Sequence, residues 1–474
     1  MVILIGVKTF LEEAKAGSVD LAEFIAKVKE STASIQEKYA PFITLNPDPG
    51  HGAGKPADGP LGYLPISVKD CLCAEGMRTT AGSRMLEGYM PPFDATAVAR
   101  AKAAGGLIIG KTAQDEFGFG TFSDTCAYSI PKNPFDVERS CGGSSGGAGC
   151  MTAAADFPHI AIAESTGGSI TAPAAFTGTV GLTPTYGRVS RYGLIDYSSS
   201  MDKIGVISKE VYDSALMLSS IAGHDPLDST SSGIAAEDFT AYVGRDIKGM
   251  RIGMPKEYFD GIDGKITKPV EDAVHQLEGM GASVVEIGMP FTRYAIAAYY
   301  IIATGEASTN LARYCGMRYG AQERVEGEFS EYFSKVRSQS FGEEAKRRII
   351  LGTYVRAAGF RDAYYTKALK VRSLLIKEFK AAFGKADVLA TPSMPIVAPR
   401  FDEISAMSTL DKYNIDRMTT APNLCGFPTI SVPVGKVSGM PVGMQLIADH
   451  FQEGRLISAA SAAESGGRGE SDGS

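Results

Sequence analysis

Two stretches rich in serine and glycine carry the residues best suited to nucleophilic chemistry. They are Cys141-Gly-Gly-Ser144-Ser145-Gly-Gly-Ala-Gly and Glu164-Ser-Thr-Gly-Gly-Ser169-Ile-Thr-Ala-Pro173. A serine hydroxyl attacks a carbonyl carbon once a base takes its proton, and glycines let backbone amides close around the oxygen that gains charge. Gly142-Gly-Ser-Ser-Gly146 also spells the G-x-S-x-G turn whose serine needs a histidine later in the chain. Of the five histidines, His51 sits in a loop, His159 follows a proline, and His224 and His275 fall in loop or helix surface. His450 is left as the one downstream candidate. No H-E-x-x-H or comparable spacing occurs, which weighs against a metal hydrolase. Gly105-Gly-Leu-Ile-Ile-Gly-Lys-Thr112 has the spelling of a phosphate-binding loop. That chemistry needs strand, free-amide loop, then helix. Here a helical stretch comes first and Leu-Ile-Ile is itself strand, so the string reads as a buried strand.

The elements around these motifs follow from periodicity. Residues 8–40 read as two surface helices, 46–61 as a Gly/Pro loop, and Leu64–Lys69 as a strand. On that strand Ile66 and Val68 point to one face, Ser67 and Lys69 to the other. A helix over 94–104 and a buried strand at 107–111 follow, so the early chain alternates strand and helix in the α/β manner. The Gly/Ser/Thr-rich block 140–203 is threaded through apolar runs (160–162 and 176–182), which a flexible linker would not be. Beyond it lie a loop near 224–235, helices near 267–280, 295–315 and 343–382, and strands at 386–392, 429–434 and 441–447. Glu464 to Ser474 holds only glycine, serine, arginine and acids, which predicts a disordered tail.

Composition narrows the function. The chain has 474 residues and 44% hydrophobic content, enough for a large core. A net charge of −7 argues against a nucleic-acid backbone as direct partner. No apolar run reaches the ~18–20 residues that cross a bilayer, and the opening residues lack a signal peptide's features. Seven cysteines, thinly spread, suit reduced thiols in a cytoplasm. Cys71 and Cys73 form a C-x-C with no second pair nearby, so no zinc site is expected.

Ser67-Val-Lys69-Asp70, Gly142-Gly-Ser-Ser-Gly-Gly147 and Thr166-Gly-Gly-Ser169-Ile together resemble the three defining segments of the amidase signature family. Three later segments resemble its tRNA-dependent amidotransferase branch: 184–193, Glu306-Ala-Ser-Thr-Asn-Leu-Ala-Arg-Tyr314 and Asp362 to Arg372. The resemblance implies an α/β fold, a large mixed central sheet covered by helices on both faces. It implies a single domain over 1–463, with the tail at 464–474. It also implies that Ser169 is the nucleophile, that amides of Thr166, Gly167, Gly168 and Ser169 itself form the oxyanion hole, and that Ser144 is a bridging serine after a cis peptide. Lys69 would be the terminal base. A lysine serves there only when neutral, so burial or nearby donors would have to lower it from about 10.4. Taken alone, Lys69 reads as a surface lysine, and Ser145 is a rival for the bridge. Matching on the Gly-Gly-Ser-Ser-Gly-Gly string favours Ser144, leaving Ser145 to hold the loop. Two departures stand out: the family's Asp before Thr-Gly-Gly-Ser is Ser165, and its Arg two residues after the nucleophile is Thr171. Thr183 replaces a usual lysine. The joint loss of Asp and Arg leaves no orphaned charge.

The same resemblance implies a glutaminase, with a γ-glutamyl-Ser169 intermediate. Arg372 would hold the α-carboxylate of L-glutamine, Asp416 its ammonium, and Tyr299 or Tyr300 the pocket wall. Phe117 to Ser123 reads either as another wall or as plain core. The implied assembly is a heterotrimer: a small C subunit braces this chain, and a B subunit binds Glu-tRNA(Gln), ATP and Mg²⁺ and receives the ammonia. No cofactor or metal is expected in this chain itself. Two other readings remain. One is a free-standing amidase acting on other small amides, in which paired ionic clamps such as Arg372 and Asp416 have no use. The other is a structural subunit whose chemistry has lapsed.

Overall fold

In a computed structural model, residues 6–49 and 59–468 are described. Part of the Gly/Pro loop, with His51, and the last six residues lie outside them. The strands are β1 (Phe42–Leu45), β2 (Pro65–Lys69), β3 (Leu107–Thr112), β4 (Lys132–Asn133), β5 (Asp136–Ser140), β6 (Ile160–Ser165) and β7 (Val180–Thr183). The second half contributes β8 (Lys203–Ser208), β9 (Arg251–Pro255), β10 (Ser283–Ile287), β11 (Val388–Pro392), β12 (Thr429–Val437) and β13 (Met440–Ala448).

Eleven of them form one sheet in the order β1-β3-β2-β6-β8-β7-β12-β13-β11-β9-β10. It is mixed: β3, β2 and β6 run parallel, as do β11, β9 and β10, while the middle pairs are antiparallel. Every residue of β2, β3, β6, β8 and β11 is buried, which explains why these strands read as apolar runs and not as alternating patterns. The expected strand–helix–strand order around 94–112 is present, with a helix over Thr96–Ala103 feeding β3. Lys111, the lysine of the loop-like string, is fully buried on β3 and donates to the Leu72 carbonyl (2.6 Å) and the Thr79 hydroxyl (2.8 Å). It serves the core.

The parallel pairing of β2 with β6 brings Lys69 and the Glu164–Ser169 string to the same end of the sheet. Ile66 lies opposite Ile160 and Val68 opposite Ile162, so both strands end on the same side. Ligand sites in α/β sheets form outside such carboxyl ends. Helices Gly146–Ala154 and Thr171–Thr177 cover this end, one after each serine-glycine loop.

Two boundaries differ from the sequence expectation. The stretch 343–382 is not one helix but two, Glu343–Arg356 and Lys367–Phe383. Ala357 turns extended, Gly359 takes φ +85°, and a wide helical turn over Asp362–Thr366 restarts the second. Residues 464–468, expected in a tail, belong to the last helix, Glu453–Arg468, and the Glu464 carboxylate accepts the Val211 N–H at 3.1 Å. Strands β1, β9 and β10 and the helix Phe329–Ser340 are additions to the sequence expectation.

That last helix, Glu453–Arg468, is anchored through its first residue. Glu453 is fully buried, takes the Thr185 N–H at 2.9 Å and meets the buried Arg188 guanidinium at 3.1 Å. Arg188→Ala strands a buried carboxylate and should cost about 3–5 kcal/mol of unfolding free energy, read by denaturant titration. A loss under about 1 kcal/mol would show that the pair does not hold the helix.

Candidate active site

Lys69 ends β2 with no solvent exposure. Its Nζ donates to Ser144 Oγ at 2.8 Å, to the Glu164 carbonyl at 3.0 Å and to Glu164 Oε2 at 2.8 Å. The Gly143–Ser144 peptide is cis. The Ser144 carbonyl accepts the Asp115 N–H at 3.2 Å and the Ser123 hydroxyl at 3.3 Å. Its neighbour faces elsewhere: Ser145 Oγ donates to the Glu164 carbonyl at 3.0 Å, and its N–H to the Ser169 carbonyl at 3.3 Å. The adjacent serines, indistinguishable by motif, are thus separated by direction, one toward lysine and one toward β6. Buried Asp115 braces this loop by accepting the Ser123 N–H and the Thr125 hydroxyl, both at 2.9 Å. A Cβ on Gly143 would lie 2.2 Å from its carboxylate, so only glycine fits.

The second loop leaves the end of β6. The Thr166 hydroxyl lies 2.8 Å from both Glu164 Oε1 and Asp202 Oδ1. Thr419 donates its hydroxyl to the Gly167 carbonyl at 2.7 Å. Gly168 adopts φ +148°, and its N–H donates to Ser165 Oγ at 3.2 Å. Of the amides expected in the oxyanion hole, that of Gly168 is therefore already engaged, by the very residue that departs from the family pattern. Thr171 Oγ1 and Thr183 Oγ1, at the other two departures, are buried without a hydrogen-bond partner.

Ser169 opens onto a small cavity lined by Gly118, Gly120, Gly143, Gly167, Tyr299, Tyr300, Arg348 and Asp416 among others. Glycines supply the floor, and the charged groups stand opposite. Asp416 accepts the Tyr300 phenol at 2.9 Å and the Thr121 hydroxyl at 3.0 Å. Burial pushes its carboxyl up to about 6, partly offset by those two hydrogen bonds. Burial likewise raises the Tyr299 and Tyr300 phenols, leaving both protonated as donors.

The arginine of this cavity is Arg348, and here the sequence expectation needs correcting. Arg372 instead donates to Ser200, at 3.1 Å to the hydroxyl and 3.0 Å to the carbonyl. Arg348 sits on Glu343–Arg356, the helix that the sequence merged with that of Arg372. It is held by Glu344 Oε1 at 2.8 Å and the Tyr197 phenol at 2.5 Å, beneath the rings of Phe119, Tyr300 and Tyr413. Those bonds use two of five guanidinium N–H groups, so donors remain for a ligand. Within Phe117 to Ser123 both readings hold: Gly118 and Gly120 line the cavity, while Phe117 packs on Tyr314 and Phe341.

His450 does not complete a serine–histidine pair. Its Nε2 lies 3.1 Å from the Cys425 carbonyl and its ring stacks on Phe427. His159, next to Ser67 at 3.0 Å, is pushed by burial to about 3 and stays neutral.

The model of the amidase family matches residues 48–457. The chain belongs to the amidase family. Among curated members of that family, the A subunit of glutamyl-tRNA(Gln) amidotransferase from Moorella thermoacetica is 48% identical, over 96% of this chain and 92% of its own length. Its counterpart from Carboxydothermus hydrogenoformans is 44% identical, with 96% of each chain covered. Among solved amidases, the A subunit of the same amidotransferase from Thermotoga maritima superposes with TM-score 0.81 at 34% identity, covering 96% of this chain and 94% of that one. The peptide amidase of Stenotrophomonas maltophilia gives 0.79 at 28% identity, with 96% of each covered.

Relative to the sequence expectation, Glu164, Asp202, Arg348, Thr419 and Tyr413 are additions. Glu164 stood inside a quoted motif, but nothing in the string says that its side chain meets Lys69. Gly167 offers a direct test of the amidase site. A Cβ there would lie 2.5–2.9 Å from the buried Tyr299 ring. Gly167→Ala should slow sulfonylation of Ser169 by a serine-reactive sulfonyl fluoride about 100-fold, the scale of a lost oxyanion donor, with the melting transition retained. Unchanged labelling would mean that this segment does not shape the site.

Proposed function

We propose that this chain is the glutaminase subunit of a tRNA-dependent amidotransferase. Ser169 attacks the side-chain amide of L-glutamine, giving γ-glutamyl-Ser169 and ammonia, and water then releases glutamate. Proton transfer runs from Ser169 through Ser144 to Lys69. The free amides of the Thr166–Ser169 loop receive the oxyanion. Two partners, the B and C subunits, complete the assembly: C braces this chain, and B binds Glu-tRNA(Gln), ATP and Mg²⁺ and uses the ammonia to form Gln-tRNA(Gln). The workplace is the cytoplasm, and this chain carries no cofactor of its own. The similarity to amidotransferase A subunits over 96% of the chain supports the assembly and the reaction.

The observation that carries the substrate is that Arg348 and Asp416 both line the cavity that opens on Ser169. An α-carboxylate fits the fork of Arg348 and an α-ammonium fits Asp416. A pocket for an apolar amide gains nothing from two buried charges, which disfavours the free-standing amidase reading.

Ammonia release from L-glutamine by the chain co-purified with its B and C partners tests the proposal. Ser169→Ala should abolish release while partner binding persists, and substantial residual turnover would contradict the nucleophile. Asp416 adds a pH signature. Its carboxyl, raised to about 6, must be ionised to hold an ammonium, so KM for glutamine should rise as pH falls through about 6, with little change in kcat. Asp416→Asn should raise KM about 10- to 100-fold, the worth of a charge-assisted hydrogen bond, and flatten that pH dependence. Arg372→Ala should leave KM nearly unchanged, whereas Arg348→Ala should not.

A further inference from the structure

Lys69 carries three possible N–H donors, and the structure supplies three acceptors at bonding distance: Ser144 Oγ, the Glu164 carbonyl and Glu164 Oε2. The contact with Glu164 Oε2 is an ion pair at 2.8 Å between two buried groups, so a carboxylate stands within direct proton-transfer reach of Nζ. The far side of Glu164 agrees. One hydroxyl proton of Thr166 lies between Glu164 Oε1 and Asp202 Oδ1, each at 2.8 Å. With both carboxylates ionised, one of those contacts would set lone pair against lone pair. A proton on Asp202 removes the conflict: Asp202 donates to Thr166, and Thr166 donates to Glu164. Burial, with the neighbouring Glu164 charge, holds the Asp202 carboxyl well above its usual range, consistent with that proton. Asp202 also accepts the N–H groups of Tyr197 and Ser198 at 2.9 Å.

We infer that the terminal proton acceptor of this relay is the Lys69–Glu164 pair, with the Glu164 carboxylate storing the proton taken from Ser169. The inference rests on the Ser169–Ser144–Lys69 relay proposed above. As the O–C bond of the acyl enzyme forms, the Ser169 proton passes to Ser144 Oγ and the Ser144 proton to Lys69 Nζ. Before that transfer one Nζ proton moves to Glu164 Oε2, and the amine turns the lone pair so freed toward the Ser144 hydroxyl. Lysine ends as it began, an ammonium, and Glu164 becomes a neutral acid. Reversal of the same path returns that proton to the departing amide nitrogen, which leaves as ammonia. Glu164 acts through Lys69 and never meets the substrate, so it is a positioning residue for the reaction. Other titratable groups facing the pair are the Cys71 thiol, which burial keeps protonated, and Asp202, itself backed by Asp196. Lys111 and Asp70 lie one layer further from it, around Cys71.

The test is the rate of Ser169 sulfonylation by phenylmethanesulfonyl fluoride against pH, in the full chain with both partners bound. Wild type, Glu164→Gln, Glu164→Ala and Glu164→Asp are compared. Without the carboxylate, Lys69 must shed its own proton before it can accept another. The acidic limb then reports an ammonium group instead of a carboxyl group, whose reference values differ by about 6 units. The Gln and Ala variants should therefore be slow at neutral pH and recover alkaline of wild type by about 1 unit or more. The Asp variant should keep the wild-type limb at reduced rate. The Ala variant guards against misfolding of the Gln variant. A Gln or Ala profile that superimposes on wild type, or that falls uniformly at every pH, would overturn the inference. Labelling needs no amide, so a displaced limb in a chain that releases no ammonia from glutamine would overturn the glutaminase reading alone.

Discussion

A primary ammonium group with no access to water needs an acceptor for each of its protons and a counter-charge at contact distance. Lys69 finds its counter-charge and two of its acceptors on one residue of the neighbouring strand, because the carbonyl and the carboxylate of Glu164 both turn toward it, and Ser144 Oγ is the third. That arrangement is possible only while β2 and β6 run side by side in the same direction, with Val68 opposite Ile162. The Glu164 carbonyl also accepts the Ser145 hydroxyl, so one peptide oxygen ties the two serine-glycine loops to the sheet. A register slip of one residue between these strands would turn Lys69 to the opposite face and dissolve the whole arrangement.

Around that contact the backbone is drawn in more closely than most side chains permit. Gly143 is pressed against Asp115, Gly167 against Tyr299 and Gly168 against Thr419. The glycines keep the cavity small and leave amides, not side chains, along its floor. The charged residues that line the cavity, Asp416 and Arg348, are each held by neighbours: Tyr300 on Asp416, and Tyr197 together with Glu344 on Arg348. Groups already oriented lose little freedom when substrate binds. The departures at Ser165 and Thr171 sit behind the loop. Ser165 takes up the Gly168 amide, and so changes which donors face the reacting carbonyl.

What the sequence discloses about such a site depends on how local the constraint is. The serine-glycine strings are legible because close backbone approach can be met only by glycine at fixed neighbours, and the strands 64–69 and 107–111 because buried strands are continuous apolar runs. The direction of a side chain across the sheet is not local. Glu164 lay within the quoted motif, but its meeting with Lys69 depends on strand order, which no spacing encodes. Arg348 was missed for a related reason: Arg372 was named from the resemblance of its string, and no spacing shows that the helix before the break, Glu343–Arg356, is the one that reaches the cavity. Residues 464–468 have the composition of a tail but remain helical because Glu464 caps a tertiary contact at Val211.

In the proposed reaction one hydroxyl, that of Ser169, carries the acyl group. Rapid acid quenching of the glutamine-supplied complex, followed by peptide mapping with mass spectrometry, distinguishes it from its neighbours. A γ-glutamyl adduct is expected on the peptide that contains Ser169 and none on the peptide that contains Ser144 and Ser145. An adduct on the Ser144–Ser145 peptide would contradict it.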